Sequence, residues 1–395
     1  MKGVIKRMEI YKKTSGKDLI IGLEGRLDTV TVQDLEKELD DIDNSKNIVF
    51  DFENLEYISS AGLRVVLKIK KSNENTKVIN CNPEIYEIFK MTGFAEIMEV
   101  TKALRKISVD ACEVIGEGFY GTVYRLDPET IVKVYKKGSS IESIQREIDL
   151  ARKAFVLGIP TAIPYDIVKV GDLYGAVFEL INSKSLQKMI IEGAKIEELV
   201  KELVKVLKQM HTTKIEDGEL PNRKKTIIEM VSKCKDYLPK VASEKLMKLI
   251  FDLPMQDTMI HGDFQIKNIM KQNDEIVLID MDTLSFGHPI FEFGAMYATY
   301  KAFACVDKNN TQDFLGISLE QSQKILDLTF NYYFNDKTPE FIQDVMFKSS
   351  IIAYLHVLCL RTSFIDENNE LQKQEIEFAR NYLAENLPKV DSLEF

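Results

Sequence analysis

Cysteine is scarce in this chain. Five occur in 395 residues, at positions 81, 112, 234, 305 and 359, odd in number and never in C-x-x-C spacing. That pattern excludes a disulfide framework and a zinc site of the usual kind, and a reduced, cytoplasmic setting is expected. The first residues, MKGVIKRMEIYKK, lack the apolar core of a signal peptide. The longest apolar run, around IIAYLHVLCL, is read as too short to span a bilayer and carries His356, so no membrane partner is expected. Basic excess is missing as well. The formal net charge is −10, which disfavours nucleic acid, since phosphate backbones want clustered Lys and Arg.

What is present suits a globular protein of two or three domains. Hydrophobic residues make up 45% of the chain, enough to bury real cores. Residues 1–105 hold 17 Lys and Arg against 18 Asp and Glu, so almost all the acidic excess lies beyond them. From Leu19 to Glu99, strand-like runs (LIIGLEG, NIVFDFEN, KVINCN) alternate with helical spacing in TVQDLEKELDDI, SAGLRVVLKIKKS and PEIYEIFKMTG. This rhythm predicts a small α/β layer domain. After Thr101–Cys112, with no Gly/Ser linker, comes a β-dense block: CEVIGEGFYGTVYRL, TIVKVYKK and, past a helix, DLYGAVFELI. From about Ser185 helices dominate.

The β-dense block opens the chemistry. GEGFYGTV places Gly116, Gly118, Gly121 and Val123 in a G-x-G-x-x-G-x-V pattern between two strand-like runs. Glycines let a backbone approach phosphates and leave its N–H groups free to donate to them. Twelve residues past Gly121, Lys133 is the one charge in the alternating strand TIVKVY. A phosphoryl-transfer site needs a lysine there, on the α/β-phosphates, fixed by a helix glutamate. Glu147 in SIQREIDLARKA fits by spacing, with Glu142 as the alternative. FELINSKSL reads as a strand end passing into a helix. Such a connection would offer backbone groups to an adenine edge, with Glu179 among the nucleotide-binding candidates.

HGDFQIKNIM (261–270) follows. Asp263 can accept the proton of an attacking hydroxyl, and Asn268, five residues on, can ligate Mg²⁺ through its amide oxygen. Twelve residues later the strand EIVLID ends on Asp280, an anionic ligand for the same metal, with Asp282 close behind. Each residue alone has a plain structural explanation; their order on the right element types does not.

Residues from about 110 to 395 therefore resemble the aminoglycoside phosphotransferase and choline kinase group of the protein-kinase-like fold, through HGDxxxxN and IDxD. The resemblance implies ATP (GTP as the alternative), Mg²⁺, and transfer to a hydroxyl on a small, often amine-bearing molecule. It makes Asp263 the catalytic base, Asn268 and Asp280 the metal ligands and Lys133 the nucleotide lysine. Gly262 stands where many protein kinases carry an arginine that senses a phosphorylated activation loop. Asp280-Met281-Asp282 stands for D-F-G, and eleven residues separate Asp280 from Glu292 with no A-P-E. That leaves little room to grip a polypeptide. His261, Lys267, Asp282 and Glu292 are candidates for acceptor contact or for support behind the loop. His261 is read as orienting the loop, Lys267 as solvent-facing or reaching a γ-phosphate. Asp282, Glu292, Asp366 and Glu367 are acids that would suit an amine.

DFENLEYISSAGLRVVLKIKK, with LEGRLD at 23–28 and KMTGF at 90–94, resembles the STAS domain of bacterial anti-sigma factor antagonists. In that family a loop serine is phosphorylated by a partner kinase. Alignment on Gly62 puts Ser60 at that position, with Ser59 in place of the family's aspartate and Ala61 in place of its second hydroxyl residue. A phosphate at a helix N-terminus is held by free N–H groups; a serine there also simply caps the helix.

The expected architecture is an α/β STAS module over 1–105, then a two-lobed α+β kinase-like domain over 106–395. Its β-rich lobe is placed at about 110–183 and its helical lobe at 184–395. Three functions stand against one another. The first is a small-molecule kinase with a regulatory STAS domain that takes a protein partner. The second is a partner-switching regulator whose kinase-like region phosphorylates Ser60. The third is a pseudokinase scaffold that binds nucleotide without transfer.

Overall fold

The computed structural model describes residues 8–39, 46–118, 120–215, 218–272, 275–363, 366 and 368–395. Contacts divide the chain into Met1–Ile107 and Ser108–Phe395. In the first unit, β1 (Glu9–Ser15) pairs antiparallel with β2 (Asp18–Leu27) across a turn in which Gly16 takes φ 59°. Two-residue hairpin turns want that left-handed backbone. The later strands run parallel: β3 (Asn47–Ile58) on β2, β4 (Lys77–Cys81) on β3 and β5 (Val100–Lys102) on β4. Parallel neighbours need crossovers, here α1 (Val32–Leu39), α2 (Ser60–Ser72), and α3 (Pro83–Met91) with the short α4 (Phe94–Ile97). The end of the expected helix TVQDLEKELDDI lies outside the described residues. Leu23, Phe50, Phe52, Val66 and Phe89 form the core. A short strand, Arg105–Ile107 (β6), stands outside the five-stranded sheet and is the last element before Ser108.

The start of α2 shows how sequence becomes structure here. Ser59 sits in extended backbone, and its hydroxyl accepts the Gly62 N–H at 3.3 Å, a side-chain N-cap. Gly62 carries no side chain because a Cβ there would stand 2.7 Å from Leu27 Cγ. The helix can therefore lie tightly on β2.

In the second unit β7 (Glu113–Glu117), β8 (Gly121–Arg125), β9 (Thr130–Tyr135), β10 (Pro164–Val170) and β11 (Leu173–Glu179) lie in the order β10-β11-β9-β8-β7, all neighbours antiparallel. Between β9 and β10 the helix α5 (Ile141–Val156) packs against this sheet, with Glu147 on its buried side. A short β12 (Lys184–Ser185) leads into α6 (Leu186–Ile191), α7 (Ile196–Thr212), α8 (Arg223–Cys234) and α9 (Lys240–Asp252). Two small ribbons follow. In one, β13 (Thr258–Ile260) pairs with β16 (Ser285–Gly287); in the other, β14 (Ile269–Gln272) pairs with β15 (Glu275–Leu278). Between them they pin the loop 261–268 and the turn 279–284.

The remaining helices are α10 (Ile290–Tyr300), α11 (Asn310–Leu315), α12 (Leu319–Tyr333), α13 (Pro339–Ser363) and α14 (Glu370–Asn386). One expectation is corrected here. The run IIAYLHVLCL belongs to the 25-residue α13, which is long and apolar enough to cross a membrane by length and composition. However, 61% of its apolar window is buried inside the unit, against α8, α10 and α14. It is a core helix.

Candidate active site

The glycine loop is the turn of the β7–β8 hairpin, where the Gly118 N–H donates to the Gly121 carbonyl at 2.9 Å. Phe119 lies outside the described residues. The three glycines differ in purpose. A Cβ on Gly121 would stand 2.1 Å from the Val134 carbonyl oxygen, so the sheet itself forbids a side chain. At Gly116 and Gly118 the nearest atoms would be 3.8 Å away. Their bareness is not required by packing and leaves an open backbone surface above the cleft. Val123 pairs in register with Lys133.

Lys133 reaches from β9 to two carboxylates, Glu147 Oε1 at 2.8 Å and Asp280 Oδ1 at 2.9 Å. The structure thus brings Glu147, not Glu142, to the lysine. Tyr135 donates its hydroxyl to the other Glu147 oxygen at 2.8 Å. Burial works against the Lys133 ammonium, but the charges of Asp280 and Glu147 outweigh it and hold its pKa above the ordinary lysine value. Asp280 itself takes φ 64°, a left-handed backbone for a residue that is not glycine. Such strain persists only where the surroundings over-determine it, as at working sites.

The loop after β13 is held from every side. Gln265 Nε2 donates to both Asp263 oxygens at 3.1 Å. Asn268 Nδ2 donates to Asp263 Oδ2 at 2.8 Å and to the Asp263 carbonyl at 3.0 Å. The Asn268 amide nitrogen is therefore committed to Asp263, which fixes which end of the amide is left for a cation. The Asn268 carbonyl accepts Ile279 N–H at 2.9 Å, tying the loop to the Asp280 turn. Asp282 lies next along that turn. Burial, then the like charge of Asp280, push its pKa up to about 7. Tyr120, at the hairpin tip, is near enough that burial and the charges of Asp282 and Asp280 raise its pKa too. Hairpin tip, Lys133, Asp263, Asn268, Asp280 and Asp282 thus gather in one place.

Three candidates fall elsewhere. Glu292 is corrected as an acceptor-facing acid: it is 0% exposed, and its oxygens accept the His261 N–H at 2.6 Å and the Gly262 N–H at 3.0 Å. It holds the loop from behind. The Glu179 carboxylate accepts the Ile163 N–H at 3.2 Å, tying the end of β11 to the residue before β10. Lys267 is half-buried and lays its ammonium over the Phe314 ring, 4.5 Å from the centroid. His261 is fully buried, with its Nδ1 3.4 Å from the Asp263 N–H, which suits a loop-orienting role. Ser60 belongs to the first unit. It is exposed in the first turn of α2, since Ser59 takes the cap. Asp366 is exposed; Glu367 lies outside the described residues.

Sequence reading missed four supporting residues. Tyr135 orients Glu147, and Gln265 orients Asp263. Tyr300, on α10, accepts the Ile266 N–H at 2.9 Å. Arg223, the first residue of α8, is 7% exposed, and its Nη1 lies 3.0 Å from where a Cβ on Gly262 would be. A buried arginine leaves one faint signal, the Pro-Asn-Arg helix start at 221–223.

The family model for "Phosphotransferase enzyme family" matches residues 111–311. The chain belongs to that family. Its kinase-like unit also resembles, at 16% identity and a TM-score of 0.50, the crystal structure of aminoglycoside phosphotransferase APH(2″)-Ib with ADP bound. That alignment covers 79% of this chain and 99% of that one and establishes the fold. The STAS domain model matches residues 9–107. In this region the chain is 35% identical over 91 residues to "Putative anti-sigma factor antagonist BtrV" of Bordetella bronchiseptica, covering 22% of this chain and 78% of that protein. The protein is a STAS domain joined to a phosphotransferase domain.

Proposed function

We propose that the phosphotransferase domain moves the γ-phosphoryl group of ATP, with GTP as the alternative donor, to a hydroxyl of a small molecule. The observation that carries this reading is the Asp263 carboxylate, gripped by Gln265 and Asn268 in the cleft that also holds Lys133 and Asp280. As the acceptor oxygen bonds to the γ-phosphorus and the bond to the β-bridging oxygen breaks, the hydroxyl proton passes to Asp263. Lys133, steadied by Glu147, binds the α/β-phosphates; the open backbone at Gly116 and Gly118 receives the phosphate oxygens.

The donor set fits Mg²⁺. The Asp280 carboxylate and the Asn268 amide oxygen would hold it, with Asp282 adjacent. Burial and its neighbour's charge already disfavour the ionised form of Asp282, so a cation there would relieve it. Mg²⁺ prefers one or two carboxylates plus phosphate oxygens and water, a set that Asp280 and Asn268 would fit. When bound, Mg²⁺ neutralises charge on the phosphates being transferred.

A small acceptor is favoured because the stretch after Asp280 is committed to structure. Ser285–Gly287 pairs with β13, and α10 begins at Ile290. The case for an amine on the acceptor is weakened, because Glu292 is enclosed behind the loop. The setting we infer is the reduced cytoplasm, in keeping with five free cysteines. The STAS domain is the site for a protein partner.

Incubation of the protein with Mg-ATP and a panel of amino sugars, amino alcohols and sugars is the test. Wild type is expected to phosphorylate at least one, and Asp263→Asn none. Equal behaviour of the two proteins defeats the reading. One observation favours a second reading, phosphorylation of Ser60: its hydroxyl is exposed while Ser59 serves as the cap. Intact mass after Mg-ATP treatment separates them. A single added phosphate that Ser60→Ala removes supports partner switching; an unmodified chain that still turns over a metabolite rules out self-phosphorylation.

A further inference from the structure

The loop glycine and the buried arginine belong to one arrangement. Gly262 takes φ +84°, and the space where its side chain would be is filled by Arg223 Nη1 at 3.0 Å, the Thr283 carbonyl at 3.0 Å and Thr283 Cβ at 3.1 Å. Arg223 comes from α8, some forty positions earlier in the chain. An arginine side chain stays protonated throughout the working pH range, so this is a fixed positive charge in a nearly solvent-free place. Buried charges need partners, and the carboxylates within electrostatic reach are Glu292, Asp263 and Asp282. Glu292 meanwhile accepts the two N–H groups of His261 and Gly262. The peptide that carries Asp263 thus lies between a carboxylate from α10 and a guanidinium from α8.

We propose that Arg223 is a positioning residue for phosphoryl transfer: its guanidinium, lodged in the side-chain space of Gly262, sets the orientation of the Asp263 carboxylate in company with Glu292. The inference rests on the reading of Asp263 as proton acceptor. Where a loop arginine would read out a phosphorylated segment, this charge is supplied from a helix and feels the buried Glu292 and the half-buried Asp263 and Asp282. The glycine at 262 then has two reasons: its φ of +84° strains any other residue, and a Cβ there would crowd Arg223 and Thr283 at 3.0 Å. Arg223 lies against the Gly262 peptide, so its loss should appear in turnover and not in nucleotide binding.

The test uses the full chain and Mg-ATP, with water as the acceptor, followed by phosphate release. Nucleotide affinity is measured by titration with ADP, and folding by thermal melting. Arg223→Lys keeps the charge but not the planar fork and should lower kcat about tenfold; Arg223→Gln should lower it about a hundredfold, in the range of a lost preorganised contact. ADP affinity should stay within twofold in both. That graded fall supports the proposal. Losses that track melting temperature or ADP affinity make Arg223 merely structural and overturn it, as does unchanged kcat in the Lys variant. Should Arg223→Gln not fold, Arg223→Lys against wild type decides alone on the same criteria. Asp263→Asn is the separating control. If it matches wild type, or wild type shows no turnover, the Asp263 reading falls and this proposal with it. If Asp263→Asn is inactive and the Arg223 variants are not impaired, only the role of Arg223 is lost.

Discussion

Two short segments, one in each domain, solve the same problem by opposite means. At Ser59–Gly62 a strand passes into a helix, and the polar groups exposed there are met locally, by a serine three residues away. At His261–Asn268 the loop's backbone is met by side chains from distant elements: Glu292 and Tyr300 from α10, and Thr283 from the following turn. A local solution tolerates change, because only one contact is lost with one residue. The distant solution fixes a geometry that no local preference would choose. Only the second, in the function proposed, would have to hold a carboxylate where a hydroxyl can reach it.

The sharpest way to break the catalytic side of this contrast is Asp263→Asn. General-base contributions run to about 10²–10⁴-fold, so phosphate transfer should fall by at least that lower figure while melting temperature hardly moves. Phosphate release from Mg-ATP, read beside a melting curve, checks both halves. A variant with intact turnover would detach Asp263 from the chemistry.

Next in size is Glu292→Ala. It removes the acceptor of one buried and one part-buried N–H group, and an unsatisfied buried group costs about 1–3 kcal/mol. Beyond the lost bonds, the Arg223 charge loses a buried neighbour. A fall in the unfolding midpoint worth several kcal/mol is expected for the phosphotransferase domain alone. Calorimetry should show it as one shifted transition beside an unmoved one for the STAS domain.

How much of this was legible follows from what each residue needs. Lys133, Asp263, Asn268 and Asp280 could be singled out because phosphoryl transfer would want those types at set distances along one chain. The structure brings Lys133 to Asp280 and Asn268 to Asp263. Arg223, Tyr300 and Tyr135 could not be, because they act through space from other helices and strands, and spacing in sequence carries no trace of that. Glu292 was legible as one of two things, an acid for the acceptor or a support behind the loop, and only the fold, by enclosing it against the His261 and Gly262 N–H groups, selects the second. In the STAS domain the parallel strands and crossover helices were readable from alternating patterns. The edge strand β1, EIYKKTS, was not, since most of its residues are exposed and carry no apolar alternation. β5 spans only three residues, too few to show a period.

Acid sharpens the contrast between domains. All four histidines lie beyond residue 210, and none in the STAS domain. Burial pushes His211 and His356 down to about 3 and His288 down to about 4. They are neutral in the fold, whereas in the unfolded chain they take up protons below about pH 6.5. The stability they contribute is therefore complete above that pH and declines as pH falls towards their folded values, each by up to about 1.4 kcal/mol per pH unit. Between pH 6.5 and 4.5 the phosphotransferase transition should move to lower temperature faster than the STAS transition. Parallel movement of both would show that the histidines are not kept neutral by the fold.

The smallest effect is the most local. Ser59→Ala deletes the cap on α2 and should destabilise the STAS domain by about 1 kcal/mol, the usual worth of a serine N-cap. Ser60→Ala, one residue on, removes an exposed hydroxyl that plays no part in capping and should change stability by less than about 0.5 kcal/mol. Chemical denaturation of the two variants measures the difference directly. Equal losses would mean that both hydroxyls support the helix, and Ser60 would then be poorly placed to accept a phosphate without unfolding its own turn. Unequal losses leave Ser60 free to change chemically while Ser59 holds the helix, a division of labour that a phosphorylated switch requires.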